Sequence, residues 1–437
     1  MSYSECAEKI KKIANNMKDY DQVVRMVTDE KNCRTINGIK YSEWEPTSLS
    51  HGLPGLCLLY SRLHKLFPDE GWDRITHQYL STLVTHINKE GIPGLSMFSG
   101  ASGIGLAVVS ASNGFRNYNK LLNTINDYIC NRFEEYLKTL DYSQGTHSFT
   151  FDVIEGLSGI MSYLMIYIKQ KSMHKYILQG LKKLIELTQV ITVNEREIPG
   201  WYITAENQFS EQEQQIYPKG NFNTSLSHGV AGPLVILSKA YMEGVVVSGH
   251  EEAISRIVKF YQDFRSNDGK RDFWKGQLSL NEVVEGEVSN ENVIRRDAWC
   301  YGTPGICYAL ICAGTALKRS DWVSYGVDTL KKAVVDLRGL YSPTFCHGFA
   351  GIIQLLRSTE ELLEVPIFTN EINQLQEKTL SYYEESNIFG FKNMEYDETE
   401  YMIRPYNAVG LLDGCVGTCL VLLGEDKENF WEKAFLL

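Results

Sequence analysis

Three short strings in this 437-residue chain carry side chains of the kind that do chemistry. Cys300 precedes Tyr301-Gly302, the pair Cys346-His347 precedes Gly348, and His228 precedes Gly229. Two thiols and an imidazole form a borderline-soft donor set that suits Zn2+. Three protein donors leave a fourth coordination position open, as catalytic zinc sites do and structural ones do not. Cys415 in Asp413-Gly414-Cys415 is the one further cysteine in a comparable string. Taken singly, each cysteine reads as core filler, because cysteine is among the most often buried residue types. Cys57, Cys130, Cys307, Cys312 and Cys419 fit that reading, and Cys415 with Cys419 reads as a packing pair on one helical face. One zinc ion per chain, on Cys300, Cys346 and His347, is expected if the fold brings these strings together.

A repeat supplies the means. Gly-x-x-Gly followed by an apolar run occurs at Gly52/Gly55, Gly100/Gly103, Gly156/Gly159, Gly229/Gly232, Gly302/Gly305, Gly348/Gly351 and Gly414/Gly417. One copy would mean nothing; seven in register define an architecture. The runs after each pair carry almost no charge on any face, so they are helices buried all round. Between them, 120–140, 176–191, 251–264, 326–337 and 370–383 place apolar residues at helical spacing with charges opposite. The expected fold is all-α: an α/α toroid of seven inner and seven outer helices forming a single domain over 1–437. The residues just before each glycine pair then gather at one mouth of the ring, where helix N-termini favour anions or a thiolate. Two spacings are longer than the rest. Segments 193–226 and 266–295 are expected as an inserted loop or small β-containing extension over that mouth. Residues 31–50 read as irregular and 141–151 as a loop.

A hydrophobic fraction of 43% is ample for a large core, and a net charge of −11 disfavours nucleic acid and anionic lipid as partners. It leaves cationic peptides open. The opening residues Met1 to Cys6 lack a basic head and apolar core, so no secretory signal is expected, and no apolar stretch is long enough to span a bilayer. Ten cysteines scattered through a long chain read as reduced thiols in the cytoplasm.

At the same strings the chain resembles the lanthionine synthetase C-like family, and within it the bacterial class I lantibiotic cyclases. The resemblance is carried by Arg296-Asp297-Ala298-Trp299-Cys300-Tyr301-Gly302, by Cys346-His347-Gly348, by Ser227-His228-Gly229-Val230-Ala231-Gly232, and by Asp152-Val153-Ile154-Glu155-Gly156-Leu157-Ser158-Gly159. It extends through all seven glycine motifs. It implies a toroid with a β-containing extension and a central zinc site. It implies Michael-type addition of peptide cysteine thiols to dehydroalanine or dehydrobutyrine, giving lanthionine and methyllanthionine rings. Matched by motif, Cys300, Cys346 and His347 are the zinc ligands, and His228, Asp152, Arg296 and Tyr301 the other active-site residues. The implied partners are a dehydrated lantibiotic precursor peptide, with a dehydratase and an exporter of a membrane-associated complex. A cytoplasmic chain would then reach the membrane peripherally.

The chemistry accounts for these residue types. A free thiol with a pKa of about 8.5 is mostly protonated at neutral pH, and zinc deprotonates a coordinating thiol. Attack on a dehydro residue leaves an enolate whose α-carbon needs a proton, and His228 titrates in the right range to carry one. Asp152 can orient His228 or cap the helix beginning near Glu155. Arg296 can hold the enolate oxygen or form an ion pair with Asp152 or Asp297. Tyr301 can donate a hydrogen bond. His51 and Glu155 also precede glycine motifs, as rim residues without an assigned role. A prenyltransferase-like toroid would use a carboxylate zinc ligand, a glutathione-adding relative would use a small thiol, and a zinc scaffold would close the fourth position and tolerate loss of His228.

Overall fold

The computed structural model describes residues 3–36, 39–289, 296–397, 400–424 and 430–437. Residues 290–295 of the second expected extension, and the first two residues of the chain, lie outside the described residues. In chain order the long helices are α1 (Tyr3–Asn16), α2 (Leu53–Leu66), α3 (Trp72–Glu90), α4 (Ala101–Ala111), α5 (Asn119–Thr139), α6 (Leu157–Met165) and α7 (Lys171–Leu187). They continue as α8 (Ala231–Met242), α9 (His250–Asp263), α10 (Thr303–Ala316), α11 (Ser320–Val335), α12 (Phe349–Leu363), α13 (Thr369–Leu380) and α14 (Cys415–Leu422).

Two patterns of burial separate them into layers. In α4 every residue from Ala101 to Ser110 is buried, because no position carries a charge that must reach water. In α5 only Leu122, Ile125, Ile129 and Phe133 are buried, a single stripe at helical spacing. The even-numbered helices are of the first kind and follow the glycine motifs; the odd-numbered ones are of the second kind. Each inner helix touches the next, α2 to α4, α6, α8, α10, α12 and α14, and α14 returns to α2, so the ring closes. Each outer helix packs on the inner helix before it, except that α1 covers the seam between α14 and α2. Among the described residues this is an α/α toroid of seven inner and seven outer helices.

The chain then fills its own hole. Trp431, Phe435, Leu436 and Leu437 are buried, and their short helical turn contacts α4 and α6. The Phe435 ring stacks on Phe345 and meets Trp299 edge-on. The Trp299 Nε1–H donates to the Phe435 carbonyl at 3.0 Å. Phe345 and Trp299 are the residues just before Cys346 and Cys300, so this turn is the floor beneath both thiols.

Among the described residues, strands occur only as short pairs. In the first long spacing, β3 (Val190–Val193) and β4 (Arg196–Pro199) form a hairpin, and β5 (Asn221–Asn223) follows. In the second, β6 (Ser266–Asn267) pairs with β7 (Asp272–Phe273), and β8 (Gln277–Ser279) returns to β5 with Phe222 opposite Leu278. The two long spacings are thus joined to each other by β5 and β8. Two further hairpins fall where the pattern suggested none. β1 (Arg34–Ile36) pairs with β2 (Ile39–Tyr41) inside the stretch read as irregular, and β9 (Asn393–Asp397) with β10 (Met402–Tyr406). Their strands are too short for alternation to show. Within 141–151, Ser148–Phe151 forms a single helical turn rather than loop.

The glycines act through close approach. A Cβ on Gly351 would lie 2.1 Å from the Phe345 carbonyl oxygen and 3.1 Å from the Trp299 Cβ, so the second glycine of this motif lets α12 lie against the loop carrying Cys300. Gly302 is constrained twice: its φ is +99°, and a Cβ there would lie 1.8 Å from the Arg296 carbonyl oxygen. We expect Gly302→Ala to lose about 3 kcal/mol or more of stability. Gly71, with φ +77° but open space around it, should lose only about 1 kcal/mol as Gly71→Ala. Thermal unfolding midpoints of the two variants check this; equal shifts would mean that the dihedral alone, and not the packing, demands glycine at 302.

Candidate active site

The loops that enter the inner helices are tied to one another by backbone hydrogen bonds running around the mouth. Leu49 N–H donates to Phe98 O, Phe98 N–H to Ile154 O, and Val153 N–H to Ser227 O. Ser227 N–H donates to Cys300 O, Cys300 N–H to Cys346 O, Cys346 N–H to Leu412 O, and Leu411 N–H back to Leu49 O. The donor-bearing residues Asp152, His228, Cys300 and Cys346 with His347 therefore sit on four successive loops of one closed circle.

Cys300, Cys346 and His347 each place a donor atom within 4.8 Å of the others. All ten cysteines are free thiols, so no disulfide competes for these two. A hydrogen bond from the Cys346 thiol, outweighing burial and helped by His347 and Arg296, holds the Cys300 thiol well below its ordinary value. Cys346, on the proton-bearing side of the same bond, is held well above. Two thiols and an imidazole converging on one point form a site at which a divalent cation can displace thiol protons. The donor set fits a thiophilic metal ion. By contrast, burial above all pushes Cys57, Cys307 and Cys415 upward, and Cys312 up to about 11. Cys415 Sγ lies 3.7 Å from Met17 Sδ and Cys130 Sγ 3.7 Å from Met173 Sδ, packing contacts as expected of core sulfur.

His347 is engaged on both sides. Its Nε2–H donates to Glu395 Oε1, and its Nδ1 lies 3.6 Å from Asp413 Oδ1. Burial would lower the His347 imidazole, but Asp413, Cys300 and Glu395 together hold it well above its ordinary value. Burial pushes Asp413 up to about 7, against the pull of His347. Neither carboxylate was found in the sequence. Asp413 carried a usable signal, since it directly precedes the seventh glycine motif. Glu395 carried none, because it lies on β9, outside the repeat.

On the neighbouring loops, His228 Nδ1 and Asp152 Oδ2 are 2.6 Å apart, with Asp152 fully buried. The other carboxylate oxygen, Oδ1, accepts from the N–H groups of Glu155 at 2.8 Å and Gly156 at 2.7 Å. Capping and histidine orientation, posed as alternatives for Asp152, are therefore performed together by its two oxygens. With Nδ1–H directed to Asp152, the imidazole keeps Nε2 free. Aromatic rings surround it: Phe209 edge-on at 5.0 Å, Phe149 at 6.3 Å and Tyr301 at 6.3 Å between centroids. Phe149 and Phe209 are exposed and touch each other, and His147 packs against both and accepts from Phe149 N–H at 3.1 Å. These three residues lacked any periodic signal in the sequence.

Tyr301 Oη accepts from Asn223 Nδ2 at 2.9 Å, and burial pushes its phenol upward. Arg296 donates to Tyr341 Oη at 3.4 Å. The expected pairing with Asp297 has a competitor: Asp297 binds Arg271 at 2.5 Å and the Arg338 N–H at 2.9 Å. Arg296 and Tyr301 line an open cleft of ≈ 420 Å³, together with Glu213, Trp274 and Gln277 from the β5–β8 region. Of the rim residues, Glu155 accepts from Ser99 Oγ at 2.6 Å, and His51 lies 3.6 Å from Glu43.

A family model described as lanthionine synthetase C-like protein matches residues 43–436. The nisin biosynthesis protein NisC of Lactococcus lactis subsp. lactis is 30% identical over 429 residues, which cover 98% of this chain and 97% of that protein. A solved structure described as nisin cyclase superposes with a TM-score of 0.81 at 27% identity, over 98% of this chain and 97% of that one.

The double duty of Asp152 has a measurable signature. Asp152→Ala strands two buried N–H groups and should cost about 1–3 kcal/mol. Asp152→Asn keeps an oxygen for both of them and should cost clearly less. Equal losses in denaturant unfolding would mean that the cap contributes nothing.

Proposed function

The chain belongs to the lanthionine synthetase C-like family, and from that premise we infer that it is a cyclase of lantibiotic maturation. It adds cysteine thiols of a dehydrated precursor peptide to dehydroalanine or dehydrobutyrine, closing lanthionine and methyllanthionine rings. The observation that carries this reading is the convergence of Cys300, Cys346 and His347 on one point of a rim that also holds the His228–Asp152 pair. In this reading the two thiols and the imidazole hold one zinc ion per chain. When bound, zinc keeps a peptide cysteine ionised at neutral pH and so nucleophilic.

The chain's own residues do the rest. The addition is redox-neutral: a C–S bond forms at the β-carbon, and the electron pair of the double bond moves onto the carbonyl oxygen as an enolate. The proton lost by the thiol balances the one gained at the α-carbon. His228 carries that proton at Nε2, because Asp152 occupies Nδ1. Arg296 faces the enolate oxygen as a fixed cation, and Tyr301 supplies a hydrogen-bonding hydroxyl within the same cleft. The toroid, 1–437, works as one domain, with 193–226 and 266–295 elaborating the active-site face. The exposed Phe149 and Phe209 give an apolar peptide a wall to lie on beside His228.

The substrate's chemistry implies further partners. Dehydro residues arise by loss of water from serine or threonine, so a dehydratase must act first. The finished peptide must leave the cell through an exporter. We place the cyclase in the cytoplasm and bring it to the membrane through these two partners. No helix among the described residues is long and apolar enough to cross a bilayer itself.

Ring closure leaves the mass unchanged, so it is read by counting thiols that still react with an alkylating agent. We expect about one zinc per wild-type chain, and loss of both zinc and cyclisation in Cys300→Ala. We expect His228→Ala to keep its zinc and lose about 10²- to 10⁴-fold in rate. A folded wild type without zinc would point to a scaffold instead. Wild-type rates in His228→Ala would remove the histidine from proton transfer.

A further inference from the structure

A run of buried charges leads away from the metal-donor set. Glu395 Oε1 accepts the Nε2–H of His347. Its other oxygen, Oε2, lies 3.6 Å from Arg34 Nη1, and Arg34 Nε lies 2.6 Å from Glu43 Oε1. Glu43 is 1% exposed. The side chains of Arg34 and Glu395 are 15% and 12% exposed. These residues come from three places outside the glycine repeat: Arg34 from β1, Glu43 from the segment after β2, and Glu395 from β9, which packs against β1.

Two unrelated hairpins thus bring a paired carboxylate to a residue on the rim of the toroid. The hairpins lie outside the glycine repeat, and their strands show mostly half-exposed or exposed residues, with Asn393, Asp397 and Tyr406 buried. Burying Glu43 and Glu395 beside Arg34 costs desolvation that only the pairing offsets. The pairing fixes a geometry at His347.

The geometry concerns which nitrogen of His347 is free. A neutral imidazole has one N–H and one lone pair, and a metal ligand must offer the lone pair. The carboxylate on Nε2 fixes the proton there and turns Nδ1 toward the other face, where Asp413 Oδ1 approaches only to 3.6 Å.

We propose that Glu395 is a positioning residue of the metal centre, that Arg34 holds it in place through its pairing with Glu43, and that the β1–β2 and β9–β10 hairpins serve to deliver this orienting pair to His347. This rests on the zinc reading above, and it assigns a function to two hairpins that the repeat does not explain.

The test is zinc affinity, read by competition with a chromogenic chelator on the full chain, together with the visible absorption spectrum of the cobalt-substituted protein. Loss of an outer-shell carboxylate weakens metal binding by about 10- to 100-fold. We expect that range for Glu395→Ala, with an altered cobalt spectrum, in a metal-free protein that still unfolds cooperatively. Glu395→Gln keeps an acceptor oxygen without the charge and should recover most of the affinity. Arg34→Gln should fall between the two. If Glu395→Ala fails to fold, Glu395→Gln and Arg34→Gln carry the comparison, and wild-type affinity and spectrum in both would overturn the proposal. Cys346→Ala separates the two levels. Zinc that depends on Cys346 but binds Glu395→Ala with wild-type affinity sinks the positioning role and leaves the zinc reading intact. A wild type that takes up no zinc sinks both.

Discussion

The structure depends on a closed circle of backbone hydrogen bonds between loops. Each inner helix is entered through a loop, and each loop donates an N–H to a carbonyl of the next, from Leu49 around to Leu411 and back to Leu49. Inside a toroid these groups are cut off from water, and a buried N–H or C=O left unpaired costs about 1–3 kcal/mol. The loops therefore cannot drift independently. Cys300 and Cys346 are joined through their own peptide groups, with Cys300 N–H on Cys346 O at 3.2 Å. Residues separated by dozens of positions are held as firmly as neighbours on one strand.

The glycines and the C-terminal turn make that circle compatible with packing. Gly351 admits the Trp299 loop where a side chain would collide, and Gly302 turns the chain immediately after Tyr301. Phe435, stacked on Phe345 and edge-on to Trp299, supports both cysteine loops from below. The thiols are thus fixed laterally by the circle and vertically by the plug. Chemistry that needs several donors at one point before any ligand arrives depends on such preorganisation. The His228–Asp152 pair belongs to the same frame, since Val153 N–H donates to Ser227 O between their loops.

Much of this was legible in the sequence because the repeat is periodic and its consequences are geometric. Seven Gly-x-x-Gly motifs before apolar runs imply inner helices, and charged stripes between them imply outer ones. The residues just before each glycine pair then fall on one rim, where Cys300, His228 and His347 are found together with Asp413, which the same logic reaches. What was not legible is what lies outside the period. The hairpins at Arg34–Tyr41 and Asn393–Tyr406 are too short for alternation to register. Glu395 on one of them gave no sign of its reach to His347. The aromatic collar of Phe149 and Phe209 comes from a single helical turn and an extension loop, and the plug of Trp431 and Phe435 from beyond the last repeat. Asp152 posed a different difficulty: its two oxygens do two jobs, and a residue type alone cannot express both.

In the proposed cyclase, this frame would hold two sulfurs and one imidazole around a metal position whose remaining place is left for a peptide thiol. X-ray absorption at the zinc edge of the loaded protein counts sulfur neighbours directly. Two sulfurs with one imidazole are expected in the resting protein, and a third sulfur when a cysteine-containing precursor peptide is added. A resting site with no sulfur, or one whose sulfur count does not change on adding the peptide, would contradict this.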